Sequence, residues 1–407
     1  PSLRHLLNRP PEPMDEKPIG PLLPPVATSD TVRAALLLPF SGSNAAIGEE
    51  MMKAAQLAVF DFANHRFELL PIDTYGTSKG ASAAATKAIA DGAQIILGPL
   101  LANSVRAAAP AARAAHIPML AFSSDRRVGG DGVYALGFLP EEQVERIVSF
   151  AVSRGMKNFA ALAPDNFYGA TVLDALRAAT RNFGAELVAA RFYDPYAQDF
   201  TKVVRALANY DSRRYALLSQ RKELERTHDE ISRQTLKRLK LLQTIGDLPF
   251  DALMIADGGR RLKSIAALLP FYDIDPEKVR MLGTGQWDVP GLGAEPALLG
   301  AWFAAPDPGA RAEFVDLYEK IYEKKPRRLT TLVYDAVALA AVQARAGGGA
   351  DFSEAALTVE SGFNGRDGIF RLLSSGIVER GLAVMQVRER DAKIIQSAPV
   401  HFRALIN

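Results

Sequence analysis

The sequence contains no cysteine among its 407 residues. This absence excludes disulfide bonds, a thiol nucleophile, zinc–thiolate sites and iron–sulfur clusters. No uninterrupted apolar run reaches about 18 residues, the length that a transmembrane helix needs, so the sequence predicts no membrane span. The five histidines are scattered without a metal-ligand spacing such as HExxH. Surface or local hydrogen-bonding roles therefore explain them better than metal binding.

Motifs for catalysis and nucleotide binding are also missing. There is no GxSxG turn to present a serine nucleophile and no GxxxxGK[ST] phosphate loop. The segment Gly283-Thr284-Gly285 lacks the further glycine of a dinucleotide fingerprint, and a plain turn explains it better. We therefore expect a protein that is not an enzyme and that carries no cofactor and no metal. The small net charge of +2, without a large basic patch, disfavours a nucleic-acid partner.

The chain is long enough to form two compact lobes of ordinary domain size. It is 48% apolar and 23% charged, as is ordinary for a soluble globular protein. Residues 1–30 are rich in proline and charge and lack an apolar period, which predicts a semi-extended tether or a tail without a role. The start at Pro1, without an initiator methionine, is compatible with a removed signal peptide or lipid-bearing terminus.

The stretch from Val32 to Met51 organises the rest of the chain. Val32 to Phe40 is nearly all apolar, as in a strand buried on both faces of a parallel sheet. The loop Ser41 to Asn44 follows, and Gly48, Glu49 and Glu50 open an amphipathic helix. In open α/β sheets, ligands sit at such strand-to-helix junctions.

Strands and helices then alternate in two series, which predicts an α/β fold of two doubly wound, Rossmann-like lobes with a cleft between them. Within the second series, between the strand at Leu187 and the one at Asp251, residues 212–247 form a charged insert in which apolar residues recur at helical spacing. This insert predicts one or two amphipathic helices, either as a solvated surface or as a docking surface for a protein. Near the end, Gly368 to Leu373 and Leu382 to Arg388 predict a hairpin-like pair of edge strands.

Small polar residues end several of these strands. Because all such loops of a lobe open on one side, they predict an interlobe cleft for a small polar ligand. The candidate ligand-binding residues are Ser41, Asn44, Ser104, Ser123, Ser124, Asp125, Tyr168, Asp257 and Gln286.

Four passages make the chain resemble the type I periplasmic binding proteins of the leucine/isoleucine/valine-binding kind. They are LLLPFSGSNAAIGEEMMKAAQLA, ILGPLLANSVRAAAPAARAAHIPMLAFSSD, APDNFYGATVLDALR and LVYDAVALAA. The resemblance implies two lobes joined by three crossings, a cleft that closes by hinge motion, and export to the periplasm. We expect one lobe to comprise residues 31–138 with 302–362 and the other to comprise 139–301 with 363–407.

The phrases LAFSSDRRV and LGFLPEEQVERIVSFA narrow the resemblance to the LppC/YraM-type lipoproteins, which activate penicillin-binding proteins. That family often carries a lipid on an N-terminal cysteine, which this chain does not contain. In amino-acid receptors of the wider superfamily, serine and threonine loops hold the ligand's carboxylate and ammonium groups. The resemblance places Ser104 and Ser123-Ser124-Asp125 there, with Tyr168 and Asp257 contributed by the other lobe.

The resemblance leaves two functions open. The first is a non-catalytic periplasmic activator that contacts a membrane-bound penicillin-binding protein and so regulates peptidoglycan synthesis. The second is a receptor that delivers an amino acid or similar small polar solute to an ABC permease. Asp125 bears on this choice, because its carboxylate would repel a ligand carboxylate unless Arg126 or Arg127 compensates.

Overall fold

The computed structural model describes residues 31–227, 229–345 and 350–402. The predicted tether, residues 1–30, lies outside the described residues. The first sheet is parallel throughout, in the order β2-β1-β3-β4-β5. Its strands are β1 (Val32–Leu38), β2 (Phe67–Asp73), β3 (Ile95–Leu97), β4 (Met119–Ala121) and β5 (Val133–Ala135). The helices α1 (Ala45–Phe62), α2 (Ser78–Ala90) and α3 (Ala102–Ala114) connect them.

The organising strand and helix form where the sequence predicted them. Strand β1 lies between β2 and β3, and its residues from 34 to 38 are fully buried, as a central strand of a two-faced sheet requires. Helix α1 begins at Ala45, three residues before the predicted start, with Asn44 as its N-cap residue. Glu50 consequently lies in the second turn, where it is buried and pairs with Lys324 and Arg327.

The second series adds β6 (Asn158–Pro164), β7 (Glu186–Tyr193), β8 (Ala252–Ile255), β9 (Arg280–Gly283) and β10 (Trp302–Ala305). Its helices are α4 (Pro140–Ser153), α5 (Phe167–Asn182), α6 (Thr201–Leu207), α7 (Tyr210–Arg226), α8 (Glu230–Leu239) and α9 (Gly259–Leu268). Helices α7 and α8 lie in the charged insert, which agrees with the prediction of one or two helices there.

The last part of the chain contains α10 (Pro308–Tyr322), α11 (Thr330–Arg345) and α12 (Glu354–Leu357). Five short strands follow: β11 (Phe363–Gly365), β12 (Gly368–Leu372), β13 (Val378–Arg380), β14 (Ala383–Val387) and β15 (Ala392–Gln396). Strands β14 and β15 extend the second sheet, whose order is β15-β14-β10-β9-β8-β6-β7, with β14 antiparallel to β10.

The predicted hairpin between residues 368–373 and 382–388 is wrong. Both segments are strands, but β12 pairs with β11 and β13 in a separate three-stranded sheet, and β14 pairs with β10 and β15. An alternating pattern identifies a strand and its buried face, whereas its partners depend on which strand edges the folded chain places beside it.

The strand pairing also moves the expected lobe boundaries. Strand β10 belongs to the second sheet, although residues from 302 were assigned to the first lobe. Conversely, Phe370, Leu372 and Val378 share a buried cluster with Leu36 of β1, although residues from 363 were assigned to the second lobe. The chain therefore crosses between the lobes after β10 and again between β13 and β14. Tertiary contacts determine where the chain makes these two crossings, so no local sequence pattern could predict them.

Membrane-spanning helices are not found in the described part of the chain, where every helix is too short or too polar to cross a bilayer.

Candidate functional site

A cleft of about 950 Å³ opens at the carboxyl ends of the first sheet's strands. The loops after β1, β2, β3 and β4 all contribute to it, as parallel strands require. Phe138, between β5 and α4, Leu329, immediately before α11, and Phe167, at the start of α5, complete its wall. Its polar lining is Asn44, Thr77, Ser78, Asn103, Ser104, Arg106, Ser123, Ser124, Asp125 and Arg127.

Five of the nine predicted site residues lie in this cleft: Asn44, Ser104, Ser123, Ser124 and Asp125. They come from three different loops, so the structure brings together residues up to 81 positions apart in the sequence. Of the three serines, only Ser124 is exposed and free to meet a ligand, since Ser104 and Ser123 are buried. The hydroxyl of Ser123 accepts a hydrogen bond from the backbone N–H of Asp125 at 3.1 Å.

Ser41 does not line the cleft. Its hydroxyl donates instead to Asp73 at 2.5 Å, and the backbone N–H groups of Phe40 and Tyr75 donate to the same carboxylate. Burial opposes ionisation of Asp73, but these hydrogen bonds outweigh it and lower the pKa of the carboxyl group. Ser41 therefore fixes the β1 and β2 loops to each other.

Asp125 is the charged centre of the cleft. Only 6% of its side chain is exposed, and Arg106 and Arg127 both pair with it. Arg127 donates from Nε and Nη2, each at 2.9 Å. These bonds from Arg127 lower the pKa of Asp125 against the opposing effect of burial, so the group is ionised at neutral pH.

The expected repulsion by Asp125 is thus removed. Arg127 compensates it as one alternative predicted, whereas Arg126 lies 4.0 Å from Glu141 instead. Arg106, which the sequence reasoning missed, supplies a second positive charge. Two guanidinium groups face one carboxylate, and among the described residues no other charged side chain lines the cleft. The lining carries a net charge of +1.

One feature of the sequence could have identified Arg106 as a site residue. Arg106 is the fifth residue of α3, and a cation close to a helix N-terminus is unfavourable unless an anion is nearby. The N-termini of α1 and α3 also border the cleft, and neither Asn44 nor Leu101 caps its helix through the side chain. At α1 the N–H groups of Ala45 and Ile47 donate to the carbonyl oxygens of Gly42 and Asn44, so it is the N–H groups at the start of α3 that add to the positive potential at the cleft.

Arg127 also connects the two lobes. Its guanidinium lies over the ring of Phe167, 4.1 Å from the ring centroid. Phe167 is half-exposed and is the first residue of α5. The contact spans the mouth of the cleft between the first lobe and the second.

The other three predicted residues form a separate cluster in the second lobe. Tyr168 shares a hydrogen bond of 2.7 Å with Thr284, and burial raises the pKa of Tyr168 to about 12. Gln286 is exposed and does not line the cleft.

Asp257 is buried and fully engaged within that cluster. Tyr193 donates to it at 2.6 Å, and Arg261 donates from Nε at 2.7 Å and from Nη2 at 2.9 Å. The N–H of Gly258 donates at 2.7 Å. All the strong acceptor positions of this carboxylate are filled, so it has none to offer the ammonium group of a ligand.

Within the described residues, no group of three or more His, Cys, Asp or Glu side chains is arranged to hold a metal ion. The cleft also contains no set of nucleophile, base and acid among its lining residues. Its chemistry is that of hydrogen bonding, one net positive charge and aromatic surface.

Comparison with known proteins matches residues 31–393 to a family model described as periplasmic binding protein. One curated relative, the uncharacterized protein RP748 of Rickettsia prowazekii, is 24% identical over 178 residues, 44% of this chain and 47% of the relative. The match spans about half the length of that relative.

Solved structures share the fold. A leucine-binding protein of Thermotoga maritima has a TM-score of 0.59 at 20% identity and covers 90% of this chain and 99% of its own. A putative branched-chain amino acid ABC transporter protein of Rhodospirillum rubrum has a TM-score of 0.70 at 18% identity, with 90% and 100% covered. A solute-binding protein of R. palustris in complex with benzoate has a TM-score of 0.59 at 16% identity, with 91% and 97% covered.

Proposed function

Because the chain belongs to the periplasmic binding protein family, we propose that it is a non-catalytic receptor that binds a small solute in the interlobe cleft for an ABC transporter. The observation that carries this proposal is the cleft itself. It opens at the strand ends of a parallel sheet, it gathers five of the nine predicted site residues, and its charged lining is net positive.

We propose a small carboxylate with an apolar body as the solute. Arg106 and Arg127 outnumber Asp125, and the N–H groups at the start of α3, which no side chain of Leu101 caps, favour an anion at the same edge. Phe122, Phe138 and other apolar lining residues provide a surface for the rest of the molecule. An amino acid would also need an acceptor for its ammonium group, and Asp257 is already engaged.

Similar proteins bind ligands of this kind. One is a leucine-binding protein, and others are in complex with benzoate or 4-hydroxybenzoate. Benzoate has a carboxylate and an aromatic ring but no ammonium group, whereas leucine has both charged groups. The two compounds therefore distinguish the proposed solute class from an amino acid.

A thermal-shift titration with benzoate, benzamide and leucine tests the proposal. A ligand that binds only the folded state stabilises it, by about 2.7 kcal/mol at a concentration of 100 times Kd. We expect benzoate to raise the melting temperature and its neutral analogue benzamide to have no effect. If leucine alone raises the melting temperature, the solute is an amino acid and not a carboxylate without an ammonium group. If no small carboxylate raises it, the result contradicts the proposed receptor function.

Arg127→Gln and Arg126→Gln form a matched pair for the same titration. Arg127→Gln removes one of the two cations that line the cleft, and we expect it to weaken carboxylate binding about tenfold or more. Arg126→Gln removes an equal charge from the adjacent residue, whose guanidinium lies beside Glu141. Equal weakening by both variants would mean that net charge alone, and not the cleft, governs binding.

The proposed partner is a membrane-embedded ABC permease, which would receive the solute from the closed receptor. The family implies a periplasmic location. Attachment to a membrane through an N-terminal lipid stays a prediction from the sequence.

A second candidate is the activator of a penicillin-binding protein. It is favoured by the phrases LAFSSDRRV and LGFLPEEQVERIVSFA and by the internal neutralisation of Asp125 and Asp257. The comparisons support the receptor better, since similar structures are solute-binding proteins of ABC transporters. Pull-down of bifunctional wall synthases, with and without residues 212–247, tests the activator. Capture that depends on these residues would support it, and equal background in both experiments would dismiss it.

A further inference from the structure

Helices α7 and α8 form a hairpin that is inserted before β8 and contributes no residue to the cleft. Arg221 clamps the returning chain by donating to the carbonyl oxygens of Leu239 and Leu242. Arg213 joins the hairpin to the rest of the second lobe through Asp273, at 2.9 Å. The insert is therefore held in place by specific contacts, and its outward side chains have a fixed arrangement.

The hairpin and the residues that follow α8 expose several large apolar side chains. Leu241 is 85% exposed, Ile231 78% and Tyr215 74%, while Leu218 and Leu242 are about half-exposed. Leu218 and Arg221 are three residues apart on α7 and therefore lie on the same side of the helix. The guanidinium of Arg221 donates a hydrogen bond to the carbonyl oxygen of Leu242. Five of the sixteen exposed large hydrophobic residues among those described thus lie within 28 residues of sequence.

Unpaired cations lie between these apolar side chains. Residues 230–242 contain four Lys or Arg and one Glu, a net charge of +3 where the whole chain has +2. The one Glu of this segment, Glu230, is paired with Arg233 at 3.6 Å. Lys237, Arg238 and Lys240 are exposed and have no ion pair with any described residue. Three of the four cations of this segment therefore have no ion-pair partner among the described residues.

We propose that this hairpin surface docks on a lipid bilayer that carries anionic headgroups. It comprises Tyr215, Leu218, Ile231, Lys237, Arg238, Lys240, Leu241 and Leu242. Cations near an anionic bilayer contribute about 1 kcal/mol each, and protruding Leu, Ile and Tyr side chains enter the boundary between headgroups and acyl chains.

A bilayer explains this surface better than a protein partner does. The core of a protein interface is a contiguous apolar patch depleted of charge, and lysine in particular is rare there. Here the apolar side chains protrude between cations, two of which are lysines. The inference is independent of the ligand in the cleft, so the two proposals can fail separately.

Co-sedimentation with vesicles tests the proposal. We expect the full chain to bind vesicles of phosphatidylglycerol and phosphatidylcholine, to bind pure phosphatidylcholine vesicles weakly, and to dissociate as salt is raised. The triple variant K237E/R238E/K240E should weaken binding on the order of 100-fold, from about 1 kcal/mol per cation. Leu241→Ser with Leu242→Ser should weaken binding while leaving its salt dependence in place.

The matched control is K157E/K320E/K393E, which changes the net charge equally at three exposed lysines elsewhere. Helix content by circular dichroism and the melting temperature establish that each variant folds. Binding retained by this control and lost by the hairpin triple supports the proposal. Equal loss in both variants overturns it, and so does failure of the unchanged chain to bind anionic vesicles, which would assign the hairpin surface to an acidic protein partner.

Discussion

At the scale of single residues, the pKa values of two buried carboxyl groups are shifted in opposite directions. Asp125 is held ionised by two guanidinium groups and shapes the potential of the cleft. Asp335, on α11, is buried, accepts one hydrogen bond from the N–H of Arg366 at 2.8 Å, and has no partner for Oδ2. Burial raises the pKa of Asp335 to about 7, and nearby Asp367 adds to the effect.

The first prediction concerns Asp335 and pH. Its pKa is higher in the folded state, 3.8 being its usual value, so the folded state binds the extra proton between about pH 4 and pH 7. Stability from this group is complete below pH 4 and is lost as pH rises through 7. Asp335→Asn imitates the protonated form, so we expect its melting temperature to equal that of the parent near pH 4 and to exceed it at pH 8.

Thermal unfolding across pH 4 to 8 measures this difference, which should reach a few kcal/mol. Asp316→Asn, at an exposed position on α10, is the control and should follow the parent curve. A parallel decline of Asp335→Asn and the parent with rising pH would show that Asp335 is not the group responsible.

At the scale of elements, close packing of α1 on the loop after β1 requires glycine at position 48. A Cβ atom there would lie 2.2 Å from the carbonyl oxygen of Pro39, which is backbone and cannot move aside easily. The sequence alone placed Gly48 at the helix start, but its role is to let the helix approach the strand end. This approach also fixes Asn44 at the edge of the cleft.

The second prediction follows from that contact. Gly48→Ala should push α1 away from the loop and destabilise the protein by about 1–3 kcal/mol, the usual cost of overpacking. Chemical denaturation measures the free energy of unfolding, with Ala46→Ser, exposed on the same helix, as the control. A stability equal to that of the parent would mean that the helix shifts without cost.

Sequence reasoning at this scale succeeded where the pattern is local and failed where it is not. The apolar run of β1 and the helical spacing of the insert each identify an element, because the pattern of buried residues can be read from consecutive positions in the sequence. Strand β12 pairs with its neighbours in the sequence, β11 and β13, whereas β14 pairs with β15 and with β10, from which it is separated by three helices and three strands. Their pairing depends on edges that exist only in the folded lobes.

At the scale of the whole molecule, the contact between Arg127 and Phe167 joins the two lobes at the mouth of the cleft. Cation–π contacts at exposed sites contribute about 0.5–1 kcal/mol. The described structure already makes this contact, so in a receptor whose lobes move as a hinge it favours the present arrangement of the lobes over a more open one by that amount.

The third prediction tests closure. Phe167→Ala should weaken solute binding about two- to fivefold without lowering the melting temperature of the free protein appreciably. Isothermal titration measures the affinity, and small-angle scattering measures whether the solute still compacts the molecule. Phe192→Ala, an exposed aromatic side chain of β7, is the control. If the Phe167→Ala variant binds the solute as tightly as the parent does, the contact between Arg127 and Phe167 does not contribute to closure.

By itself, the sequence determined the class of fold, the order of most elements and the loops from which the cleft is built. It could do so because strands, helices and strand-end loops are local patterns with a fixed geometry. Asn44, Ser104, Ser123, Ser124 and Asp125 were predicted on that basis, and all five line the cleft.

Only the tertiary structure decided which polar groups are free and which are already engaged. Asp257 and Tyr168 have suitable chemistry, but Arg261, Tyr193 and Thr284 fill their hydrogen-bonding positions. Arg106 reaches Asp125 across 19 residues of sequence, and its charge, added to that of Arg127, makes the cleft lining net positive. Charge balance at a site is a sum over neighbours in space, so it is fixed when the chain folds and cannot be read from the residues in order.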